Sequence, residues 1–181
     1  MGSFVALLRG INVGRAKRVP MAELRELMLA LGYSDVHTLL NSGNVVFSAK
    51  SGSAATHARR ISSAVADSLG VTAQVVTVSA SDFAAVVAEN PLHAVATDPS
   101  HLLVAFTQAP VAFAALVELS TSSWAPDQLA VGQRAAYLWC ANGILESKLA
   151  QSVNRKLGEL VTTRNWATVE KIGALLNPTA A

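Results

Sequence analysis

The sequence predicts an α+β fold of two ferredoxin-like halves, each a β-α-β-β-α-β unit, with an extra helix at the C-terminus. Three observations predict it. Short apolar or β-branched runs alternate with stretches of helical spacing. The order of these elements is the same in residues 1–89 and in residues 102–181. Between them, residues 90–101 (NPLHAVATDPSH) carry two prolines and no periodicity, and read as a linker.

Residues 4–8 are an apolar run too short for a helix and read as a buried strand. Met21, Leu24, Leu27, Met28 and Leu31 have helical spacing, with Pro20 where a first turn accepts proline and Gly32 as a left-handed cap. Residues 36–40 and 45–48 read as strands joined by NSGN, residues 41–44, which has hairpin turn chemistry. Residues 54–69 form a helix with Ile61, Val65 and Leu69 on one face, and Gly70 stops it. Residues 73–78 are rich in β-branched side chains and read as the fourth strand. Ser81 or Asp82 is expected to cap a helix that runs through Glu89. In the second half the strands are residues 102–106, 128–131, 135–140 and 160–162, with residues 132–134 joining the middle pair. The helices are residues 110–119, residues 144–157 with a break near Ser152, and residues 166–176.

Bulk properties narrow the class. Hydrophobic residues make up 51% of the 181, yet no run of ~18 apolar residues exists, so no membrane span is expected. MGSFVALLRG lacks the basic and apolar regions of a signal peptide. The single cysteine excludes an internal disulfide and suits a reducing cytoplasm, the expected location. A net charge of +2 does not by itself imply nucleic acid. Its distribution says more: Arg9, Arg15, Lys17 and Arg18 all precede the first acid, Glu23, and make a local field that attracts anions.

The topology brings loops together. In such a unit the first and second strands are parallel and the third runs antiparallel between them. The exit of strand one and the turn between strands two and three then share one edge of the sheet. That edge gathers Arg9, Gly10, Asn12, Gly14 and Lys17 with Asn41, Ser42, Gly43 and Asn44, beside the free N–H groups that begin the first helix. Glycines permit close backbone approach, and an Arg guanidinium holds phosphate or carboxylate with two parallel hydrogen bonds. The competing reading is that the glycines serve turns, the asparagines bond their own backbone and the charges are solvated. The loop is neither a P-loop nor a dinucleotide fingerprint, because the required Gly-Lys-Ser/Thr and Gly-x-Gly-x-x-Gly are absent.

The same geometry gives the second half an edge of its own, where residues 140–148 meet residues 162–166. Asn142, Ser147, Lys148, Arg164 and Asn165 are candidates for one polar surface there. The competing reading is helix capping by Asn142 and by Thr163 or Asn165. Trp166 shares an apolar helical face with Val169, Gly173 and Leu176 and reads as core.

No catalytic set stands out. His37, His57, His93 and His101 have no metal-ligand spacing with one another or with Cys140, so no metal site or cofactor is expected. Cys140, in AAYLWC, reads as a buried small hydrophobe. Ser42 is not in a nucleophile elbow, and Glu23, Glu26 and Asp35 look like surface charges. Only Phe4 and Phe47 are aromatic in the strands of the first half, which gives little support to recognition of RNA on the sheet face.

LLRGINVG, MAELRELMLALGYSDVHTLLNSGNVVFS and TTRNWATV, in this order, resemble the bacterial family known as domain of unknown function 1697. The resemblance covers nearly the whole chain and implies a small cytosolic α+β protein. The family's characteristic positions, carried onto this sequence, include Arg9, Gly10, Asn12, Gly14, Ser42, Gly43, Asn44, Lys148, Arg164, Asn165 and Trp166. Arg15 and the pair Leu145-Glu146 depart from its pattern, and Glu146 adds negative charge beside the second edge. The leading functional expectation is binding of a phosphate- or carboxylate-bearing ligand, a nucleotide or nucleic acid included, at the Arg9/Asn44 edge. A non-catalytic protein-interaction module is the alternative, and a transferase or hydrolase ranks third. The partner class is therefore an anionic small molecule or nucleic acid, with no membrane and with the oligomeric state open.

Overall fold

The computed structural model describes residues 1–13 and 18–177. The chain divides into two compact units, Met1–Phe83 with Ile172–Ala181, and Ala84–Lys171. Among the described residues no helix is long and apolar enough to cross a membrane.

The first unit holds β1 (Gly2–Arg9), α1 (Met21–Ala30), β2 (Ser34–Leu39), β3 (Asn44–Ala49), α2 (Ala54–Leu69) and β4 (Gln74–Ser79), followed directly by α3 (Ala80–Ala88). Its sheet has the order β2-β3-β1-β4, with every pair antiparallel. This is the arrangement that the β-α-β-β-α-β reading requires. β1 is central because it is apolar on both faces, with Val5, Ala6 and Leu7 fully buried. Phe4, Ala6 and Leu8 join a core with Val45, Phe47, Leu24, Met28, Ile61 and Val65, so α1 and α2 cover that face. Alternation sends Leu7 and Arg9 to the other face, together with Asn44, which stands opposite Leu7 on β3.

Local chemistry sets the ends of these elements. Ser53 caps α2 by accepting the Thr56 N–H, and Gly70 ends it with φ 65°. α1 starts directly after Pro20 and ends ahead of Gly32, whose φ is 79°. β2 starts earlier than its apolar residues suggest. A register shift between Ser34 and His37, with Asp35 at φ 50°, admits polar residues on a sheet edge. α3 is capped by Ser79, whose Oγ accepts the Asp82 N–H, rather than by Ser81 or Asp82.

The second unit repeats the order with β5 (Leu102–Thr107), a 3-10 turn (Pro110–Leu116) running into α4 (Val117–Ser120), β6 (Gln128–Val131), β7 (Ala136–Trp139), α5 (Lys148–Leu157), β8 (Val161–Asn165) and the first part of α6 (Trp166–Leu176), whose residues from Ile172 on belong to the first unit. Its sheet order is β6-β7-β5-β8, again antiparallel throughout. Leu103, Ala105, Leu138 and Cys140 pack with Leu149, Val153 and Leu157 of α5. α5 begins at Lys148, later than its expected start at residue 144, because Ser147 caps it. It runs without a break at Ser152. β8 continues through polar Thr163, Arg164 and Asn165, which pair with Ala105, Val104 and Leu103, so the strand is longer than its apolar part.

Trp166 is 5% exposed, and Val169 and Leu176 of the same helix are also buried. The indole N–H donates to Glu170 Oε1 at 3.2 Å. Trp166→Ala is expected to lower stability by about 3–5 kcal/mol, read from the denaturant midpoint. An unchanged midpoint would remove the indole from the core.

Candidate functional site

The first edge is built around one side chain. Asn12 has a left-handed backbone (φ 57°), a conformation asparagine tolerates better than most residues. Its Oδ1 accepts the Val19 N–H at 2.8 Å. Its Nδ2 donates to Val19 O at 3.0 Å and to Asn41 O at 2.8 Å. One amide therefore ties together the exit of β1, the segment leading into α1 and the β2–β3 turn. Gly43 seats that turn. It has φ 78°, and a Cβ there would lie 2.7 Å from Ile11 Cδ1 and 2.8 Å from Leu8 Cβ. The Leu8 N–H donates to Gly43 O at 2.8 Å. Asn44, fully buried, donates through Nδ2 to Leu39 O at 2.9 Å and to Ser42 Oγ at 3.0 Å, closing the turn from inside.

Asn12, Ser42, Gly43 and Asn44 thus come together as expected, and these bonds hold the edge in shape. Beside them lies a cleft of about 410 Å³ lined by Asn12, Arg18, Val19, Pro20, Met21 and Asn41. Arg18 is exposed. Pro20 is extended and offers no side-chain cap to α1, so the first-turn N–H groups of the helix face this region without one. Helix dipole and guanidinium add with the same sign here. Gly10 (φ 72°) has open space where a side chain would stand. Arg9 is half-buried at the end of β1, opposite Gln74 and outside the cleft lining. Gly14 and Lys17 lie outside the described residues.

The second edge is assembled differently from the expectation. Asp127 organises it: Oδ2 accepts the Ser147 hydroxyl at 2.7 Å, and Oδ1 accepts the Ala141 N–H at 2.9 Å. Ser147 Oγ in turn accepts the Ala150 N–H at 3.0 Å. Asn165 Oδ1 accepts the Thr168 N–H at 3.0 Å and the Thr168 hydroxyl at 2.7 Å, which caps α6. Lys148 is exposed at the start of α5. Arg164 stands opposite Val104, whose neighbours Leu103 and Ala105 face α5, so Arg164 projects from the other face of the sheet. Its Nη1 donates to Thr162 Oγ1 and Thr163 O, each at 2.8 Å. It is 8% exposed, and burial pushes its pKa down to about 10. Lys148 and Arg164 therefore do not share a surface. Cys140 is fully buried, and burial pushes its thiol pKa up, away from thiolate chemistry. Among the described residues no group of three or more His, Cys, Asp or Glu side chains is placed to hold a metal ion.

The family model described as "Protein of unknown function (DUF1697)" matches residues 1–137. The chain belongs to the DUF1697 family. Its fold is similar to the solved structure of the conserved bacterial protein SP0830 from Streptococcus pneumoniae, with a TM-score of 0.80 and 23% identity over 97% of this chain and 98% of that one. Among curated proteins nothing matches. The stretch of this DUF1697 chain that matches the family model contains the whole first edge, whereas Lys148, Arg164 and Asn165 lie after it.

Two elements of the edges escape a reading of residues alone. The double grip of Asn12 on Val19 and Asn41 spans up to 29 positions in sequence and has no periodic signal; an asparagine between Gly10 and Gly14 is its one trace. Asp127, in the irregular stretch before β6, has none. Asn12→Ala leaves the Val19 N–H without its acceptor and is expected to destabilise the protein by about 1–3 kcal/mol, with faster amide exchange at Val19. Equal stability and unchanged exchange would mean that the edge does not depend on the grip. Gly43→Ala meets both a left-handed backbone and two close neighbours, and is expected to cost about 1–3 kcal/mol in a denaturant titration. A neutral Gly43→Ala would show that the turn is not seated on Ile11.

Proposed function

We propose that the chain binds a small anionic ligand, bearing a phosphate or a carboxylate, at the edge made by the exit of β1, the start of α1 and the β2–β3 turn. One observation carries the reading: the cleft combines an exposed Arg18 with a helix start that has no side-chain cap, on a rim fixed by Asn12. The N–H groups there supply directed donors, and the guanidinium supplies charge and a planar fork. Because the Asn12 and Asn44 amides are engaged within the edge, the ligand is held by Arg18 and by backbone N–H groups, with Arg9 contributing attraction. The single cysteine is free and buried, in keeping with a cytoplasmic setting for this ligand.

A second reading has its own observation. Val13 is 74% exposed and Leu40 47% exposed, and both flank the residues that Asn12 joins. Exposed apolar side chains beside a polar rim also suit a protein partner.

Titration calorimetry with inorganic phosphate, nucleoside phosphates and a short oligonucleotide tests the proposal. Arg18→Ala is expected to weaken binding about 10- to 100-fold, in line with about 1.5–3 kcal/mol for charged hydrogen bonds. Arg9→Lys, which keeps the charge and loses the fork, is expected to cost less. A steep loss of affinity with salt selects nucleic acid among these ligands. No heat with any anion, or full affinity in Arg18→Ala, contradicts the proposal and favours the protein-partner reading.

A further inference from the structure

Asn142-Gly143 is the one Asn-Gly pair in the sequence. It lies in the turn that leaves β7. The Gly143 N–H donates to Cys140 O at 2.9 Å and closes this turn, with Ala141 and Asn142 as its central residues. Asn142 is exposed, and among the described residues no hydrogen bond engages its carboxamide. Gly143 has φ 100° and open surroundings: a Cβ there would lie 3.9 Å from its nearest neighbour beyond the adjoining residues, His101 Nε2.

The other asparagines are placed differently. Asn12, Asn44 and Asn165 have their side chains bonded within the fold. Asn90 and Asn177 precede prolines, which have no N–H. Asn41 and Asn154 precede Ser42 and Arg155, whose side chains crowd the backbone nitrogen that follows the asparagine. Among the described residues, only Asn142 combines an exposed, unengaged carboxamide with a following nitrogen that no Cβ shields.

We propose that Asn142 is a self-modification site that Asp127 holds in check. The Gly143 nitrogen loses its proton to solvent and attacks Asn142 Cγ. A new N–C bond forms as the side-chain nitrogen takes up a proton and leaves as ammonia, which closes a five-membered succinimide. Water then opens the ring at either carbonyl. One opening gives aspartate. The other gives isoaspartate, in which the main chain runs through the side-chain carbons and is one methylene longer. Both add a negative charge. Because the attacking N–H is tied to Cys140 O, the turn has to open first. Asp127 resists that opening: its Oδ1 accepts the Ala141 N–H at 2.9 Å, and its Oδ2 is itself fixed by the Ser147 hydroxyl at 2.7 Å. The product fits the turn poorly. A carboxylate at position 142 stands one residue from the N–H that Asp127 holds, so like charges meet, and the longer chain of isoaspartate changes the spacing between Cys140 and Gly143. The conversion therefore weakens the grip of Asp127 and, through Ser147, the cap of α5.

The test is peptide-mapping mass spectrometry on the full chain during prolonged incubation at neutral pH, with isoaspartate detected by an isoaspartyl methyltransferase. The expected result is a gain of about 1 Da on the peptide that holds residue 142, ahead of every other asparagine, with isoaspartate in the same peptide. Asp127→Ala, folded and under the same conditions, is expected to convert about 2- to 10-fold faster, the factor by which one lost hydrogen bond shifts an opening equilibrium. A first conversion at Asn41 or any other asparagine, or none at Asn142, overturns the proposal. An unchanged rate in Asp127→Ala overturns the check by Asp127. If Asp127→Ala does not fold, Ser147→Ala decides in its place: it frees Asp127 Oδ2, so faster conversion supports the proposal and an unchanged rate overturns it.

Discussion

The pairing of β1 on both sides is the constraint from which the first unit follows. β1 bonds to β3 through Leu7 opposite Asn44 and to β4 through Leu7 opposite Val76. A strand with neighbours on both edges and side chains buried on both faces has to be apolar until it leaves the sheet. Polarity therefore begins at Arg9, and the antiparallel register delivers that residue to the edge where β3 begins and β2 ends. The candidate site lies there because β1 is central.

The polar residues at this edge divide into those that build it and those left to face solvent. Amides withdrawn from water need partners, and the half-buried Asn12 and the buried Asn44 find theirs in Val19, Asn41, Leu39 and Ser42. A ligand that took these bonds would first have to break contacts that hold the edge in shape. The start of α1 is the opposite case. Pro20 supplies no cap, and the helix begins with donors turned to the cleft where Arg18 stands. Rigid support from the asparagines and available donors from α1 are complementary halves of one arrangement.

Much of this was legible in the residues. α2 and α6 match their periodic patterns to the residue, because each has an apolar face and a defined stop or start. The order β-α-β-β-α-β was enough to place both sheets. What was not legible depended on register and on tertiary hydrogen bonds. Arg164 and Lys148 looked like neighbours because both follow strand ends, yet alternation along β8 puts Arg164 on the face away from α5. β8 itself looked short because its last three residues are polar. The Ser147 cap delayed α5, and Asp127, which holds that serine, is 20 positions away. In the first edge, the residue types singled out the loops that the fold brings together, but nothing in their spacing distinguished Asn12, which joins the segments, from Arg18, which lines the cleft.

Backbone NMR of the full chain during addition of inorganic phosphate tests the central claim most directly. The account predicts the largest shift changes at the amides of Met21, Ala22 and Glu23, with smaller changes at Asn12 and Asn41. Changes centred on the opposite edge of the sheet, or no saturable change at any residue, would contradict it.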